Sequence, residues 1–282
     1  MQVSFFQFLP QFNQVKDNLV EVKKLIKENS KAIEESDLVV FPEYFLSGPQ
    51  TMDTYKNEYV NIVKKFDLKD EFKNISKQYP DVVFVFGTIL DGEGKQVKNV
   101  SYVYKNGKVI AEYSKKALIY NETYICSSDA KYPVFEVNGK KVGVAICWDT
   151  ILPEVFRKYA GKVDLIVIPS FWGIGGNALQ AQYKFSLEKK YYRALLTTRA
   201  YENAFAILFV NSVGKFSSAH YSDRMMGGSL AVVPPQGEIY FTNNKKPGTL
   251  HTVTVDFGEL EKYREFYATD KDYEYYKTKK IF

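Results

Sequence analysis

A cysteine ends one of the apolar runs of this sequence, in the stretch GVAICWD, and it has the clearest capacity for chemistry. Cys147 is followed by an indole and a carboxylate, and the chain holds only one other cysteine, Cys126. A free thiol is only a few per cent thiolate near neutrality, so a nucleophilic cysteine needs a base. The first question is therefore which residue could activate the Cys147 thiol. Nothing around Cys126 indicates reactivity, and we interpret it as structural.

Histidine is the usual base for a catalytic cysteine, and the chain has two, His220 and His251. His220 stands in a polar segment, and His251 opens a predicted strand, where we expect it to face solvent. Neither has neighbours that indicate a Cys–His dyad. Two histidines and two cysteines without close spacing do not form a zinc site, so we expect neither a metal nor a cofactor.

A carboxylate is the better candidate for the base. Glu43 directly follows an apolar run and Pro42, and a desolvated carboxylate has a raised pKa that makes it a competent base near neutrality. After removing the thiol proton, it can protonate a leaving amine. Lys115, in EYSKKALIY, is a candidate cation for the oxyanion, and its alternative is a surface pair with Glu112. Spacing along the chain does not show whether acid, cation and sulfur meet.

Three predicted strands share a form that would bring reactive groups together. They read DLVVFPE, GVAICWD and DLIVIPS; each is apolar throughout and ends on a polar or reactive residue. Ligands of open α/β sheets bind beyond the carboxyl ends of the strands. We therefore expect Glu43, Cys147 and Ser170 to lie at one rim.

The other patterns mix βα units with hairpins. Asn-Gly pairs at 106–107 and 138–139, each between alternating apolar runs, predict two tight hairpins. An apolar stripe predicts a helix over 14–35, a second helix is expected to begin near Pro153, and a third covers 177–201. This order predicts an α/β (α+β) chain in which two mixed sheets pack face to face with helices outside.

Composition excludes several classes of protein. The chain has 282 residues and a net charge of only +5, with charges interspersed rather than in blocks, so we expect no nucleic-acid partner. No apolar run approaches the length of a membrane span, and we expect no membrane partner. Two cysteines make no disulfide framework, and the chain opens with an alternating strand rather than a signal segment, so a cytoplasmic location is expected.

Five stretches, in order, resemble the nitrilase superfamily of carbon–nitrogen hydrolases, which use a Glu–Lys–Cys triad. The resemblance covers roughly residues 1–260. Its five pieces are DLVVFPEYFLSG, YSKKAL, GVAICWDTILPEVFR, DLIVIPSFW with RAYENAFAILFVNSVG, and GGSLAVVPPQGEIY. One such piece is weak, whereas five in order are highly specific.

The resemblance implies an α-β-β-α sandwich and a catalytic set of Glu43 as general base, Lys115 as oxyanion stabiliser and Cys147 as nucleophile. The family pattern Lys-x-His-Leu reads KKAL here, so the family histidine is replaced by Ala117, and Lys116 is the alternative lysine.

Further positions are predicted to surround the substrate. Glu122 stands where the family carries a second glutamate that helps to position substrate. The Trp148 backbone N–H is the expected second oxyanion donor, and its indole and that of Trp172 line the acyl pocket or serve packing alone. Family members that act on carboxylate-bearing substrates often carry arginine where this chain has Ile151. The expected substrate is therefore a small neutral, apolar or cationic amide.

No linker or shift in composition divides the chain, so we expect one hydrolase domain over 1–260 and an extension over 261–282 that packs on a partner or frays. The resemblance implies a homodimer or larger homo-oligomer, with helices near 153–160 and 177–200 at the interface. Amide or carbamoyl hydrolysis through a thioester is the predicted reaction. Nitrile hydrolysis, acyl transfer to an amine, and a scaffold protein with vestigial activity are the alternatives.

Overall fold

A computed structural model describes most of the chain. The described residues are 1–63, 66–93, 96–119, 121–173, 185–218, 222–242 and 246–267, together with 271, 275, 278 and 279. His220 and the first part of the predicted helix 177–201, residues 177–184, lie outside them. Within the described residues, no helix is both long and apolar enough to cross a membrane.

The first sheet has six strands from both ends of the chain. They are β1 Gln2–Gln7, β2 Leu38–Val40, β3 Val83–Asp91, β4 Lys98–Lys105, β5 Lys108–Ser114 and β14 Thr249–Thr254. Their order is β14-β1-β2-β3-β4-β5, in which β1, β2 and β3 are parallel neighbours and the other pairs are antiparallel. The sheet is therefore mixed.

The second sheet has the same form. Its strands are β6 Val134–Val137, β7 Lys140–Val144, β8 Leu165–Ser170, β9 Ala206–Asn211, β12 Leu230–Val233 and β13 Gly237–Phe241. Their order is β13-β12-β9-β8-β7-β6, with β7, β8 and β9 parallel. A separate hairpin pairs β10 Val213–Ser217 with β11 Ser222–Met226.

Helices of different lengths connect and flank the strands. They are α1 Val15–Glu28, α2 Ser30–Glu34, α3 Met52–Thr54, α4 Val60–Val63, α5 Leu68–Gln78, α6 Pro153–Arg157, α7 Phe185–Asn203 and α8 Gly258–Tyr267. A π-helical turn, Tyr55–Tyr59, joins α3 to α4. Helices α1 and α5 pack on the first sheet and α7 on the second, which gives the α-β-β-α layers that were predicted.

Strand β3 shows how the sequence builds these layers. Successive side chains point to opposite faces of a strand. Val83 and Val85 therefore enter the core between the two sheets, while Phe84 and Phe86 enter the core beneath α1 and α5. All four side chains are fully buried, as expected where a strand is apolar on both faces.

The predicted hairpins are confirmed, whereas the helix over 14–35 is two helices. Asn106 and Asn138 have φ of 47° and 46°, as a tight Asn-Gly turn requires. The break between α1 and α2 falls at Asn29, whose side-chain amide donates to the Leu25 carbonyl at 2.8 Å. This local hydrogen bond competes with the helix and ends α1.

Helix α8 begins before residue 260 and continues into the predicted extension. Arg264 in α8 forms an ion pair with Asp164 at 2.7 Å and donates to the carbonyl oxygens of Val163 and Ala204. Arg264, at the start of the predicted extension, therefore anchors α8 to its own chain. The domain boundary at 260 stays a prediction.

Candidate active site

The Glu43 carboxylate is held in a tight turn three residues beyond β2 and is 1% exposed. The turn lies close to β3, because a Cβ atom on Gly87 would fall 2.0 Å from the Pro42 carbonyl oxygen. Oε2 of Glu43 accepts the Phe171 N–H at 3.0 Å, and Oε1 accepts Lys115 Nζ at 2.9 Å. Both carboxylate oxygens are thus fixed.

Lys115 directly follows β5 and is buried, with 1% of its surface exposed. Its backbone N–H donates to the Asn99 carbonyl at 2.9 Å. Its ammonium group contacts two carboxylates, Glu43 at 2.9 Å and Glu122 at 2.9–3.0 Å. The alternative surface pair with Glu112 is therefore wrong.

Glu122 opens a short 3₁₀ turn, Glu122–Tyr124, and accepts several donors. Oε1 accepts the Tyr44 hydroxyl at 2.5 Å, the Asn99 amide at 3.1 Å and the Lys115 ammonium at 3.0 Å. Oε2 accepts the Ile119 N–H at 2.9 Å. So many donors stabilise the charged form of a carboxylate.

The two carboxylates differ in proton affinity. Burial and repulsion from Glu122 outweigh the Lys115 charge and raise the pKa of Glu43 above its usual value. Burial acts on Glu122 as well, but the Lys115 charge and the Tyr44 hydrogen bond lower the pKa of Glu122. Although burial alone lowers it, the two carboxylates hold the pKa of Lys115 well above its usual value. The arrangement favours an ion pair between Glu122 and Lys115 that persists, while Glu43 is the carboxylate that accepts and releases a proton.

Cys147 lies at a sharp turn between β7 and a 3₁₀ segment, Cys147–Ile151, where its φ is +44°. A non-glycine residue in this region is uncommon and needs support from its surroundings. Asp149 provides it, because Oδ2 accepts the Ile146 N–H at 2.9 Å and the Tyr113 hydroxyl at 2.7 Å. The turn presents the thiol to Glu43.

The Glu43 carboxyl group, the Ser170 hydroxyl and the Phe171 N–H lie close enough to the Cys147 thiol to shift its pKa. Glu43, Cys147 and Ser170 therefore meet at one rim. Burial, followed by the charge of Glu43, raises the pKa of Cys147 far above its usual range. The resting thiol is protonated at neutral pH, so attack requires proton removal by a neighbour.

Two indoles border the cysteine turn. The rings of Trp148 and Trp172 lie 5.3 Å apart between centroids. The backbone N–H of Trp172 donates to Oδ1 of Asn211 at 2.8 Å, and its indole N–H donates to Oε1 of Glu188 at 3.0 Å. The Trp148 N–H stands in the first turn of the 3₁₀ segment, where N–H groups have no acceptor within the helix. Pocket and oxyanion roles for both residues stay predictions.

The lysine next to Lys115 faces other groups. Lys116 Nζ contacts Asp129 at 2.7 Å and the Ser114 hydroxyl at 3.1 Å, and lies 4.5 Å from the centre of the Tyr113 ring. Lys115, not the alternative Lys116, thus makes the contact with Glu43.

His251 was expected to face solvent, and this was wrong. Its ring is half-buried in β14, stacks on Phe5 at 5.4 Å and has Nδ1 3.0 Å from the Tyr240 hydroxyl. Strand β14 pairs with β1 at the sheet edge, which turns His251 toward the core between the sheets. Cys126, which we interpreted as structural, is buried, and burial raises its pKa to about 12.

Sequence reasoning missed two residues that bind the carboxylates. Tyr44 donates to Glu122, and the side-chain amide of Asn99 donates to Glu43 at 3.0 Å and to Glu122 at 3.1 Å. The alternation of β4 places Asn99 and Ser101 on its inner face, where apolar residues are usual. A polar residue at such a position was the available signal.

Metal ligands are not grouped in the described part of the chain. There, no cluster of three or more His, Cys, Asp or Glu side chains is arranged to hold a metal ion. The expectation that the reaction uses neither metal nor cofactor stays a prediction.

Comparison with known proteins gives the family. The carbon-nitrogen hydrolase family model matches residues 2–265. A probable nitrilase of Schizosaccharomyces pombe is 24% identical over 95% of this chain and 93% of its own. The 2-oxoglutaramate amidase of Bacillus subtilis is 24% identical, with 93% of each chain covered. The structure of a Helicobacter pylori carbon-nitrogen hydrolase superposes with a TM-score of 0.81 at 16% identity, covering 96% of this chain and 94% of that one.

Two sheets flanked by helices, with acid, cation and thiol at one rim, define a hydrolase of the amidase and nitrilase type. This chain belongs to the carbon-nitrogen hydrolase family.

Proposed function

We propose that this enzyme hydrolyses a small neutral amide through a thioester on Cys147. One arrangement carries the proposal: the buried Glu43 carboxylate binds the Lys115 ammonium at 2.9 Å, and its charge acts on the nearby Cys147 thiol. A carboxylate base that lies beside both a nucleophile and a cation able to stabilise an oxyanion has the groups that acyl transfer requires.

The proposed first half-reaction forms the thioester. Glu43 takes the thiol proton as the sulfur bonds to the amide carbon, and the carbonyl oxygen becomes an oxyanion held by Lys115 and the Trp148 N–H. The carbon–nitrogen bond then breaks while Glu43 returns the proton to nitrogen, and ammonia or an amine leaves. The raised pKa of Glu43 suits both proton transfers.

The proposed second half-reaction releases the acid. Glu43 removes a proton from water, whose oxygen bonds to the thioester carbon. The carbon–sulfur bond breaks and the sulfur regains its proton from Glu43. Glu122 stays ionised throughout, which keeps Lys115 charged and positions the substrate amide.

The substrate proposal depends on Ile151. This residue is half-buried at the end of the 3₁₀ segment that begins with Cys147, and it packs against the main hydrophobic core. An aliphatic side chain cannot pair with an anion, so a substrate without a carboxylate at this point fits best. 2-Oxoglutaramate, the substrate in the name of the Bacillus relative, is the natural comparison compound.

The decisive experiment measures ammonia release from a panel of neutral amides, carbamoyl compounds and nitriles. Wild type should turn over amides and form a thioester adduct visible by intact mass. Cys147→Ala and Glu43→Gln should lose turnover, while Cys126→Ala should retain it. Nitrile turnover alone would favour the nitrilase alternative, and products with an added amine would favour acyl transfer. A chain without adduct or turnover across the panel would be a scaffold.

We further propose a cytoplasmic homodimer. Two free cysteines support the location. The exposed Leu187 and Tyr191 of α7 and Phe266 of α8 support a partner contact. Light scattering after size exclusion should give twice the chain mass, and a monomer at micromolar concentration would contradict the dimer.

A further inference from the structure

Two carboxylates and two nitrogen donors form a closed square beside the thiol. Oε1 of Glu43 accepts Lys115 Nζ at 2.9 Å and Asn99 Nδ2 at 3.0 Å. Oε1 of Glu122 accepts the same two nitrogens at 3.0 and 3.1 Å. The two oxygens are therefore neighbours that share both donors.

The charges in this square do not balance. The two ionised carboxylates carry two negative charges and Lys115 carries one positive charge. Buried like charges raise each other's pKa, which favours a proton on one of them. The NH₂ group of Asn99 stabilises both carboxylates without adding a charge that would hold the proton away from Glu43 permanently.

We propose that Asn99 is a positioning residue that keeps the pKa of Glu43 low enough for it to act as a base. This inference rests on the proposed function, since it assigns Asn99 to the proton transfer between Cys147 and Glu43. Asn99 acts through the two carboxylates and does not itself touch the thiol in the contacts described above.

The cost of its orientation supports this role. Asn99 is fully buried, and its Oδ1 atom has no hydrogen-bond partner. Buried polar atoms without partners are rare and destabilising, so each one needs an explanation. Presenting the NH₂ group to two carboxylates leaves the carbonyl with nothing to bind, which is a cost that the acid pair imposes.

The backbone of Asn99 serves the same site. Its carbonyl accepts the Lys115 N–H at 2.9 Å. Asn99 thus binds the backbone of Lys115 and both carboxylates that the Lys115 ammonium group contacts. Replacing Asn99 should therefore change the proton affinity of Glu43 as well as the stability of the protein.

The test is the rate at which iodoacetamide alkylates Cys147 between pH 4 and 9, followed by peptide mapping with Cys126 as an internal reference. This assay needs no knowledge of the substrate. Asn99→Leu has a similar volume without donors, and should move the acid limb of the profile up by about one pH unit, because one charge-assisted hydrogen bond to Glu43 is lost. Asn99→Asp adds a third carboxylate and should move it further.

Ser101→Ala is the matched control, because Ser101 lies two residues away on the same strand and is fully buried. It should leave the profile unchanged. A profile that is the same in wild type and in the Asn99 variants overturns the inference, even where the melting temperature falls. If Asn99→Leu does not fold, the Asn99→Asp profile decides.

Failure of the proposed function has a different signature. In that case wild type alkylates Cys147 no faster than Cys126, or Cys147→Ala still releases ammonia. An unchanged Asn99 profile in an active wild-type enzyme removes the role of Asn99 alone.

Discussion

The carboxylate of Asp149 accepts the backbone N–H of Lys116 at 2.8 Å, and this contact joins the cysteine turn to the end of β5. The same Oδ1 atom accepts the Ala117 N–H at 2.6 Å, while Oδ2 accepts the Ile146 N–H. One buried side chain therefore sets the distance between the elements that carry Cys147 and Lys115.

Asp149→Asn should destabilise the protein by about 2–3 kcal/mol, since either orientation of the amide turns its NH₂ group toward a backbone N–H. Urea unfolding measures this change in the free energy of unfolding. Asp70→Asn, which removes an exposed pair with Lys73, should cost much less, because solvent screens an exposed ion pair. Equal losses in the two variants would show that Asp149 does not brace the turn.

A site residue could be predicted from the sequence where a local pattern marks it, but not where long-range pairing positions it. Glu43 and Cys147 follow apolar strands, and Lys115 follows the second strand of an Asn-Gly hairpin, so local patterns and the family resemblance reach them. Asn99 and Tyr44 act across the structure. The position of Asn99 beside Lys115 depends on the pairing of β4 with β5, which includes a bulge between Val103 and Tyr104 that no local pattern reveals. The Tyr44 hydroxyl reaches Glu122, 78 residues further along the chain.

The fold shows the same division. Layer order and hairpins follow from strand periodicity and turn residues. The position of His251 depends on β14 joining the edge of the first sheet beside β1, which is a pairing of opposite ends of the chain. Long-range pairing of this kind has no signature in a single sequence.

The pH dependence of turnover should follow the ionisation of Glu43. The base must be ionised to take the thiol proton, and its pKa is raised by burial, so activity should fall as pH falls through a value above 4.5. The profile of kcat/KM against pH measures this limb in the free enzyme. An acid limb at or below pH 4.5 would show that Glu43 is not the group that titrates.

Residue 151 should determine whether the enzyme prefers neutral or negatively charged substrates. Ile151→Arg should raise the kcat/KM for 2-oxoglutaramate relative to a neutral amide by about tenfold or more, because a charge-assisted pair with a carboxylate is worth about 1.5–3 kcal/mol. Ile151→Leu is the control and should keep the wild-type ratio. A wild-type enzyme that already prefers 2-oxoglutaramate would remove this explanation of specificity.

Gly87 should be required for the position of Glu43. A Cβ atom there would lie 2.0 Å from the Pro42 carbonyl oxygen and 2.7 Å from the Phe45 ring, and the residue has a φ of +30°. Gly87→Ala should therefore push the Glu43 turn away from β3, at a cost of about 3 kcal/mol in the free energy of unfolding.

Displacing the base by about 1 Å should also lower kcat by about 100-fold. Gly139→Ala is the matched control, since that glycine also has a positive φ, +74°, but its added Cβ meets nothing within 4 Å. Its cost should be only the backbone strain, about 1–2 kcal/mol, with kcat unchanged. Thermal unfolding and ammonia release separate the two effects. If both variants lose the same stability and keep the same kcat, close packing of Pro42 on Gly87 does not hold the base in place.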